Sequence, residues 1–291
     1  ATPTYSAAQC ANTGVTAAQY GSITASPASQ YNQFSGGNPN LDPEEADTIT
    51  LGLVAEPFEG FNFSLDYFDI QMDKVIGTIG AQRILNNCAE TGDARFCDNV
   101  NRSSAGSLWL GQSGMVVNLL DNIGSRHWQG LDVSSNYTMD LGEGSLKLSL
   151  NGSYSIKKEY EPITGESALA YDCSGNVSVD CFAQPKWRHS VTASYSLGDM
   201  SFTGKWRHFG TVDYDGSTDT LIADGIDAYN FFDVSASYML TENLTISAAV
   251  NNVLDEEPPM VGGTISSNAN TVAGFYDTLG RYMHVSATLK F

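Results

Sequence analysis

The chain has 291 residues, with 14 Lys and Arg against 33 Asp and Glu, and its formal charge of −19 excludes a basic nucleic-acid-binding surface. Charged residues make up 16% of the chain, below the roughly 25% of soluble domains, while a hydrophobic content of 42% argues against disorder. No apolar run reaches the about 18 residues that a membrane helix needs, but a membrane β-barrel stays open because its strands alternate.

Apolar and polar residues alternate with period two along nine segments, which predicts nine β-strands. In chain order the segments are 48–55, 61–68, 131–141, 146–156, 190–197, 202–207, 232–240, 244–251 and 284–291. Their polar faces carry Ser, Thr and Asn instead of the Lys and Glu that normally cover a soluble sandwich. We therefore predict an all-β fold, an antiparallel transmembrane β-barrel with its apolar faces toward lipid.

Short and long connections alternate between these segments. The short ones are 56–60, 140–145, 198–199 and 241–243, and the long ones are 77–122, 157–186, 209–228 and 252–282. Outer-membrane barrels place short turns in the periplasm and long loops outside. On this basis residues 1–45 are predicted to be an extracellular loop region, and residues 46–291 to be barrel strands.

The number of predicted strands indicates a larger barrel. Single-chain bacterial barrels have even strand numbers, and an open sheet would expose two unpaired edges to lipid. The nine segments are therefore predicted to be the last nine strands of a larger barrel, with the other strands elsewhere.

Four of the five cysteines form two close pairs, Cys88 with Cys97 and Cys173 with Cys181, in predicted long loops. We expect two disulfides, as in an oxidising compartment. Zinc is the alternative, but neither pair has the short spacing or nearby His of a zinc site. The remaining Cys10 is expected to pair with sequence outside this chain.

Several stretches resemble TonB-dependent outer-membrane receptors. Residues 37–44 read GNPNLDPE before the first strand, residues 120–124 read LDNIG before QGLD at 129–132, and residues 251–255 read NNVLD. The last segment, 282–291, closes on Phe291 and resembles the C-terminal β-signal of such barrels. The order and position of these stretches cover residues 36–291.

The resemblance implies the C-terminal part of a barrel of about 22 strands. It also implies a location in the bacterial outer membrane and an N-terminal plug that, with the other strands, completes the receptor. The implied partners are that remaining part, the TonB complex, lipopolysaccharide and a small solute. The implied plug and TonB box lie outside residues 1–291, so the sequence of this chain makes no prediction about energy coupling.

Three clusters combine Arg, His and Trp, at residues 126–128, 187–189 and 206–208. Strand parity places Trp187 and Trp206 on the lipid face, with Arg188 and Arg207 inside. One interpretation is that the Trp rings lie at the membrane interface while the Arg residues pair with carboxylates of the plug or barrel. The other is that Arg126, Arg188 and Arg207 form a basic patch for a polar or anionic cargo.

Metal sites and cofactors are not predicted. No two His share a strand face at ligand spacing. Residues 213–219 space oxygen ligands like a calcium loop but lack the later Glu of an EF-hand, so a solvated loop is the preferred interpretation. Among the loop aromatics, Trp109, Tyr214, Phe275 and Tyr276 are candidates for stacking on cargo, with packing of the loops as the alternative.

No catalytic motif is present: the sequence lacks G-x-S-x-G, H-E-x-x-H, a phosphate loop and G-x-G-x-x-G. We predict no enzyme activity, and the resemblance implies active import of a scarce solute. A passive porin or adhesion barrel is the structural alternative. An outer-membrane hydrolase that uses His127, His189 or His208 is the enzymatic one.

The cargo prediction favours a neutral oligosaccharide. Residues 276–282, YDTLGRY, resemble receptors of this family associated with carbohydrate uptake. Aromatic faces with Asn and Asp in the loops suit sugars. The charge of −19 repels anionic ferric siderophores at long range. A siderophore or a peptide remains the alternative.

Overall fold

The computed structural model describes residues 3–166, 169–216, 220–263, 265–266 and 270–291. The chain divides into two compact units. The loop unit comprises Ala1–Ala46, Met72–Ser125 and Glu161–Ala170, and the sheet unit comprises Asp47–Gln71, Arg126–Tyr160 and Tyr171–Phe291.

The helices are few and short. They are α1 (Ala7–Asn12), α2 (Ala81–Thr91) and α3 (Ala94–Cys97), with a 3₁₀ helix at Thr220–Ile222. Within the described ranges, no helix has the length and apolar character required to cross a bilayer.

Strands make up most of the regular structure. They are β1 (Gln33–Phe34), β2 (Glu45–Phe58), β3 (Phe61–Gly77), β4 (Val100–Asn101), β5 (Met115–Val117), β6 (Asp121–Leu141), β7 (Gly144–Glu161), β8 (Tyr171–Asp172), β9 (Asn176–Val177), β10 (Trp187–Leu197), β11 (Met200–Phe209), β12 (Asp213–Tyr214), β13 (Tyr229–Thr241), β14 (Leu244–Asn251) and β15 (Tyr282–Leu289).

The main sheet has the order β15-β14-β13-β11-β10-β7-β6-β3-β2, and β8 pairs with β7 beside this path. Each long strand lies next to the preceding long strand of the chain, and the pairs from β7 to β15 are antiparallel. These are the nine strands that the alternation predicts, so the predicted fold class is confirmed.

Two-residue turns join four pairs of strands, at 59–60, 142–143, 198–199 and 242–243. Gly60, Gly142 and Gly198 have φ angles of 79°, 63° and 54° in these turns. Tight hairpins need such positive φ values, which glycine adopts without strain. Three of the four turns therefore follow from glycine placement in the sequence, while the turn at 242–243 is formed by Glu and Asn.

Several strands run further than the alternation predicts, and the largest extensions are at ends next to a long loop. β3 continues to Gly77, β6 begins at Asp121, and β7 continues to Glu161. Alternation marks a strand only where its two faces meet different surroundings. The extensions of β6 and β7 carry mostly polar side chains, whereas the extension of β3 includes Ile70, Met72, Val75 and Ile76.

One face of the sheet is apolar and exposed. Phe202 and Val234 on inner strands of the sheet order are 48% and 47% exposed. Aromatic rings lie at both strand ends of this face: Phe58 and Phe61 stack at 4.9 Å beside a short turn, and Trp206 and Phe232 stack at 6.2 Å near the long loops. An exposed apolar band between two aromatic girdles is the pattern of a lipid-facing barrel wall.

The long loops of the sheet unit have a hydrophobic core of their own. Its buried members are Val177, Ala183, Val212, Ile222, Ile226, Phe231, Val261, Ile265, Val272 and Tyr276. The disulfide Cys173–Cys181 closes one of the contributing loops. Burial of this many apolar side chains gives the loops a defined conformation.

The loop unit is folded around a second core, formed by Ile84, Cys88, Phe96, Leu108 and Val116. α2 and α3 are joined by the disulfide Cys88–Cys97, and β5 pairs with both β1 and β4. The predicted loop region 1–45 contributes α1 and β1 to this unit. Its extracellular position stays a prediction.

Both predicted cysteine pairs are confirmed as disulfides. Cys10 is free among the described residues, and its Sγ lies 3.7 Å from the Tyr5 carbonyl oxygen. Pairing of Cys10 with sequence outside the chain stays a prediction.

The turn glycines provide a test of the fold. A Cβ on Gly60 would overlap the Thr138 carbonyl oxygen, whereas a Cβ on Gly142 would meet nothing within 4 Å. Both residues have positive φ, so Gly142→Ala is expected to lower the free energy of unfolding by about 1 kcal/mol. Gly60→Ala adds a steric overlap and is expected to cost roughly 2–4 kcal/mol.

The measurement is urea unfolding of the complete receptor in lipid vesicles, followed by Trp fluorescence. Gly204→Ala is the control, because Gly204 has open space and no positive φ. Its expected change is within about 0.5 kcal/mol. Equal losses for Gly60→Ala and Gly142→Ala would contradict the close approach of the turn to β6.

Candidate functional site

The polar face of the sheet carries the basic residues that strand parity places inside. Ser190 pairs with Arg207 across β10 and β11, and Lys205 pairs with Asp233 across β11 and β13. Cross-strand partners share a face, so these side chains lie together. Hydroxyl groups on this face also hydrogen bond between strands: Ser64 with Ser134 at 2.9 Å, Ser194 with Thr203 at 3.0 Å, and Ser201 with Ser237 at 2.7 Å.

A cavity of about 560 Å³ lies on this polar face. The charged residues that line it are Asp66, Asp132, Arg188, Lys205 and Arg207. Both charge signs are therefore present, and the positive side chains are concentrated on β10 and β11. A cavity of this size falls within the about 300–1,000 Å³ typical of small-molecule sites.

Arg207 is held by carboxylates. Its Nε donates to Asp233 Oδ2 at 2.9 Å and its Nη2 donates to Asp233 Oδ1 at 3.1 Å. Asp277 Oδ2 lies 3.8 Å from the same guanidinium. Asp233 Oδ1 also accepts the Asn252 backbone N–H at 2.9 Å. Arg207 thus connects the sheet to the loop after β14, as the interpretation of Arg–carboxylate pairing predicts.

Arg188 differs from Arg207 in having no such partner. Its side chain is exposed and lines the 560 Å³ cavity. Among the residues that the structure describes, its guanidinium has no hydrogen bond or ion pair. The free planar guanidinium can therefore donate hydrogen bonds in bidentate geometry to a carboxylate, a phosphate or sugar hydroxyls.

A smaller cavity of about 150 Å³ is also lined by Arg188, together with Trp128, Lys158 and Phe275. Lys158 Nζ lies 5.6 Å from the Trp128 ring and donates to Gln184 Oε1 at 2.9 Å. The cavity combines positive charge with aromatic faces. Such a combination suits a ring-shaped ligand that carries polar groups.

Arg126 is enclosed by aromatic rings. Its guanidinium carbon lies 5.9 Å from the Trp128 ring and 5.6 Å from the Tyr160 ring. Tyr160 in turn stacks on Tyr171 at 5.4 Å. These cation–π contacts hold Arg126 in place, and the side chain is half-buried. Arg126 lines neither of the two cavities.

Two of the cluster histidines, His189 and His208, line the large cavity, whereas His127 lines neither cavity. His189 and His208 are cross-strand partners whose rings stack at 4.9 Å, next to Trp206. Trp187 Nε1 donates to His189 Nδ1 at 2.8 Å. Spacing along single strands does not reveal this His pair, because the two residues come from adjacent strands.

His127 belongs to a separate polar group that sequence reasoning did not identify. Asp69 Oδ1 lies 2.9 Å from His127 Nε2, and Asp69 Oδ2 accepts Gln129 Nε2 at 2.6 Å. Lys157 Nζ lies 3.4 Å from His127 Nδ1. Asp69 follows the last alternating residue of the predicted strand, so its partners become clear only once the strands are paired.

The loop aromatics are distributed over the two units. Trp109 is in the loop unit, where its Nε1 donates to the Thr24 carbonyl at 2.9 Å. Tyr214 packs against the loop core of the sheet unit, and Phe275 lines the smaller cavity. Tyr276 is only 2% exposed and packs on Tyr229 at 5.0 Å, so its ring supports the loop core in this conformation.

Burial raises the pKa of the Tyr276 hydroxyl, whose oxygen has no hydrogen-bond partner within the described part of the chain. Of residues 213–219, for which a solvated loop was preferred over a calcium loop, residues 217–219 lie outside the described residues. In the ranges that are described, no three His, Cys, Asp or Glu side chains are grouped as metal ligands.

Comparison with known proteins gives a family match for most of the chain. Residues 6–253 match the family described as "TonB dependent receptor-like, beta-barrel". The chain is also similar to the vitamin B12 transporter of Vibrio cholerae serotype O1, with 23% identity over 84% of this chain and 32% of the transporter.

Solved structures share the fold. One is a mutant ferric enterobactin receptor from Pseudomonas aeruginosa in complex with enterobactin, with a TM-score of 0.58 and 19% sequence identity. The match covers 90% of this chain and 34% of the receptor chain. Another is the outer membrane transporter YddB from Escherichia coli, with a TM-score of 0.58 and 13% sequence identity. This match covers 90% of the present chain and 35% of the transporter chain. The chain thus spans about a third of the relatives that it matches.

The contrast between the two arginines of the large cavity yields a stability prediction. Arg207→Gln leaves a partly buried carboxylate without its charged partner, so we expect the free energy of unfolding to fall by roughly 1–3 kcal/mol. Arg188→Gln removes an exposed side chain without partners and should change it by less than about 0.5 kcal/mol.

Urea unfolding of the complete receptor measures the difference, and limited proteolysis of the loop after β14 reports the local effect. Arg207→Lys serves as the matched variant, because it keeps the charge and loses the bidentate geometry. If Arg188→Gln and Arg207→Gln were equally destabilising, the assignment of distinct roles would fail.

Proposed function

The chain belongs to the TonB dependent receptor-like β-barrel family, and we propose that it forms part of the wall of an outer-membrane receptor that imports a scarce solute. The protein is located in the outer membrane of Gram-negative bacteria, as are its family relatives. The observation that carries the proposal is the polar cavity with the free guanidinium of Arg188 beside aromatic rings.

Among the residues predicted from the sequence to bind cargo, we select those whose side chains line the two cavities of the sheet unit. Arg188 supplies free donors, and Phe275 supplies an aromatic face beside it. Arg207 lines the large cavity and is paired with Asp233, whereas Arg126 lies between aromatic rings and lines neither cavity. Trp109 lines a different cavity, in the loop unit. Tyr214 and Tyr276 pack against the loop core.

We propose an oligosaccharide as the cargo. Sugars combine apolar ring faces with hydroxyl groups, and the cavities combine aromatic faces with Arg, Lys, Ser and Asn side chains. The solved structure with enterobactin supports a siderophore as the alternative cargo, through fold likeness. A peptide is a further alternative cargo for a receptor of this family.

Further partners follow from the proposed import. A plug domain and the remaining barrel strands would complete the receptor, and the TonB complex would supply energy through the plug. Lipopolysaccharide would surround the exposed apolar face. None of these partners requires a cofactor in this chain.

We propose no enzyme activity. Among the described residues, the side-chain hydrogen bonds of His127, His189 and His208 lead to Asp69, Lys157, Trp187 and Asn230. A hydrolase would need a nucleophile within hydrogen-bond reach of a base. The contacts thus support a receptor over the hydrolase, and the free Arg188 favours binding over a passive porin.

The test measures equilibrium binding of the complete receptor to a glycan panel and a ferric siderophore panel. We expect an oligosaccharide to bind, and Arg188→Gln to weaken binding about 10- to 100-fold, because hydrogen bonds to a charged group contribute roughly 1.5–3 kcal/mol. Arg281→Gln is the matched control, since Arg281 is exposed, pairs with Asp255 and lines neither cavity.

Uptake of the bound glycan in cells with and without a functional TonB complex tests the import step. TonB-independent uptake would support a passive porin. Tight siderophore binding with no glycan response, unaffected by Tyr214→Ala and Phe275→Ala, would overturn the proposed cargo.

A further inference from the structure

The loop unit contains a cavity of its own, of about 440 Å³. Its walls come from residues 23–33, from the start of α2 and from residues 102–116. An adjoining open space of about 600 Å³ shares Tyr31, Asn32 and Trp109 with it. The two aromatic side chains therefore border a continuous groove within one unit.

The floor of this groove is apolar and well supported. Leu108 and Val116 are 5% and 4% exposed and belong to the core of the loop unit. The same core contains Cys88, whose disulfide with Cys97 ties α2 to α3. A floor that is part of a cross-linked core keeps its shape without a ligand, which lowers the cost of binding.

The rim of the groove presents aromatic faces and amide groups. Trp109 is fixed by the hydrogen bond of its Nε1 to the Thr24 carbonyl, and Tyr31 is 57% exposed. Asn32 Nδ2 donates to the carbonyls of Gly111 and Gly114, both at 2.9 Å. Its Oδ1 is left to accept from a ligand, since no described residue donates to it.

Arg102 adds a positive charge to the groove that no carboxylate offsets. Its guanidinium donates to the Thr13 carbonyl at 2.8 Å, to Thr13 Oγ1 at 2.9 Å and to the Gly106 carbonyl at 2.7 Å. All these acceptors are neutral, and within the described ranges Arg102 makes no ion pair. Arg102 is half-buried, and this burial lowers the pKa of its guanidinium.

A partly buried charge is normally paired, because desolvation without a counter-charge costs free energy. The chain carries 33 acidic residues, so carboxylates are plentiful, yet Arg102 is held by neutral oxygens. Guanidinium groups have five N–H donors, and three are used here. The remaining donors can bind a carboxylate that the ligand supplies.

We propose that this groove binds a sugar ring that carries a carboxylate, such as a uronic acid within an oligosaccharide. The ring packs against Trp109 and Tyr31, a hydroxyl donates to Asn32, and the carboxylate pairs with Arg102. The role of the groove as a capture site for cargo rests on the proposed import function. The proposed ligand is therefore an acidic oligosaccharide instead of the neutral one expected from the net charge. Salt screens the long-range repulsion by the acidic chain, so the short-range attraction of the Arg102 guanidinium outweighs it.

The test uses the complete receptor and isothermal titration with uronic-acid trisaccharides of galacturonate, mannuronate and guluronate. Each is compared with its fully methyl-esterified form, which keeps the rings and removes the charges. We expect at least one acid to bind about 10- to 100-fold more tightly than its ester, as a charged hydrogen-bond pair implies. Raising salt should weaken only the acid.

Variants then locate the site. Tyr31→Ala is expected to raise Kd about 3- to 10-fold through loss of a ring contact. Phe34→Ala is the matched control, because Phe34 lies in the same segment, is 55% exposed and does not line the groove. Arg102→Gln should abolish the preference for the acid over the ester, and Arg102→Lys should retain part of it.

Arg102 also holds Thr13 and Gly106, so peptide mapping of Cys88–Cys97 and proteolysis of the loop unit check that its variants fold. The comparison of acid with ester and the Tyr31→Ala variant decide the matter even if Arg102 variants misfold. No binding across the acid panel, equal binding of acid and ester, or equal effects of Tyr31→Ala and Phe34→Ala would overturn the proposal.

The two proposals fail differently. Binding at the groove without TonB-dependent uptake refutes import and leaves the groove assigned. TonB-dependent uptake of a glycan that is insensitive to Tyr31→Ala and Arg102→Gln refutes the groove and leaves import intact.

Discussion

Backbone hydrogen bonding between neighbouring strands is the constraint on which the sheet depends, because lipid offers a strand no other partner. The same register also decides which side chains share a face. Trp206 lies opposite Val191, while the next residue, Arg207, lies opposite Ser190. A shift by one residue would exchange the two faces and place Arg207 on the lipid side, where a charge costs roughly 0–1 kcal/mol near the interface and about 2–4 kcal/mol at the bilayer midplane. The apolar band and the polar cavity are therefore two results of one pairing pattern.

Beyond the strand ends this constraint no longer applies, and the long connections form cores instead. Phe231 and Tyr276 are buried in the sheet unit, and Leu108 and Val116 in the loop unit, each unit with one disulfide. Loops that only connected strands would have little reason to bury large side chains. Packed loops place polar groups on a firm support, as binding sites require.

The sequence was sufficient for the nine strands, the short turns and both disulfides, because alternation, turn glycines and cysteine spacing are local signals. It was insufficient where a contact joins distant segments. The pairing of Arg207 with Asp233 depends on strand register, and the stacked His189 and His208 come from different strands. The burial of Tyr276 follows from packing among three loops, which composition does not encode. The extension of β3 to Gly77 was missed because the apolar positions change parity after Tyr67, to Phe68, Ile70 and Met72.

The short turns and the short cysteine separations also bear on how the chain folds. The disulfides join residues only nine and eight positions apart, and the hairpins close over two residues. The entropy cost of bringing two residues together rises with the length of chain between them. A contact such as that between Asp42 and Asn122, 80 positions apart, is far more costly to form from an unfolded chain. Local hairpins and cross-linked loops thus reduce the conformational search, so that the distant contacts join segments that are already ordered.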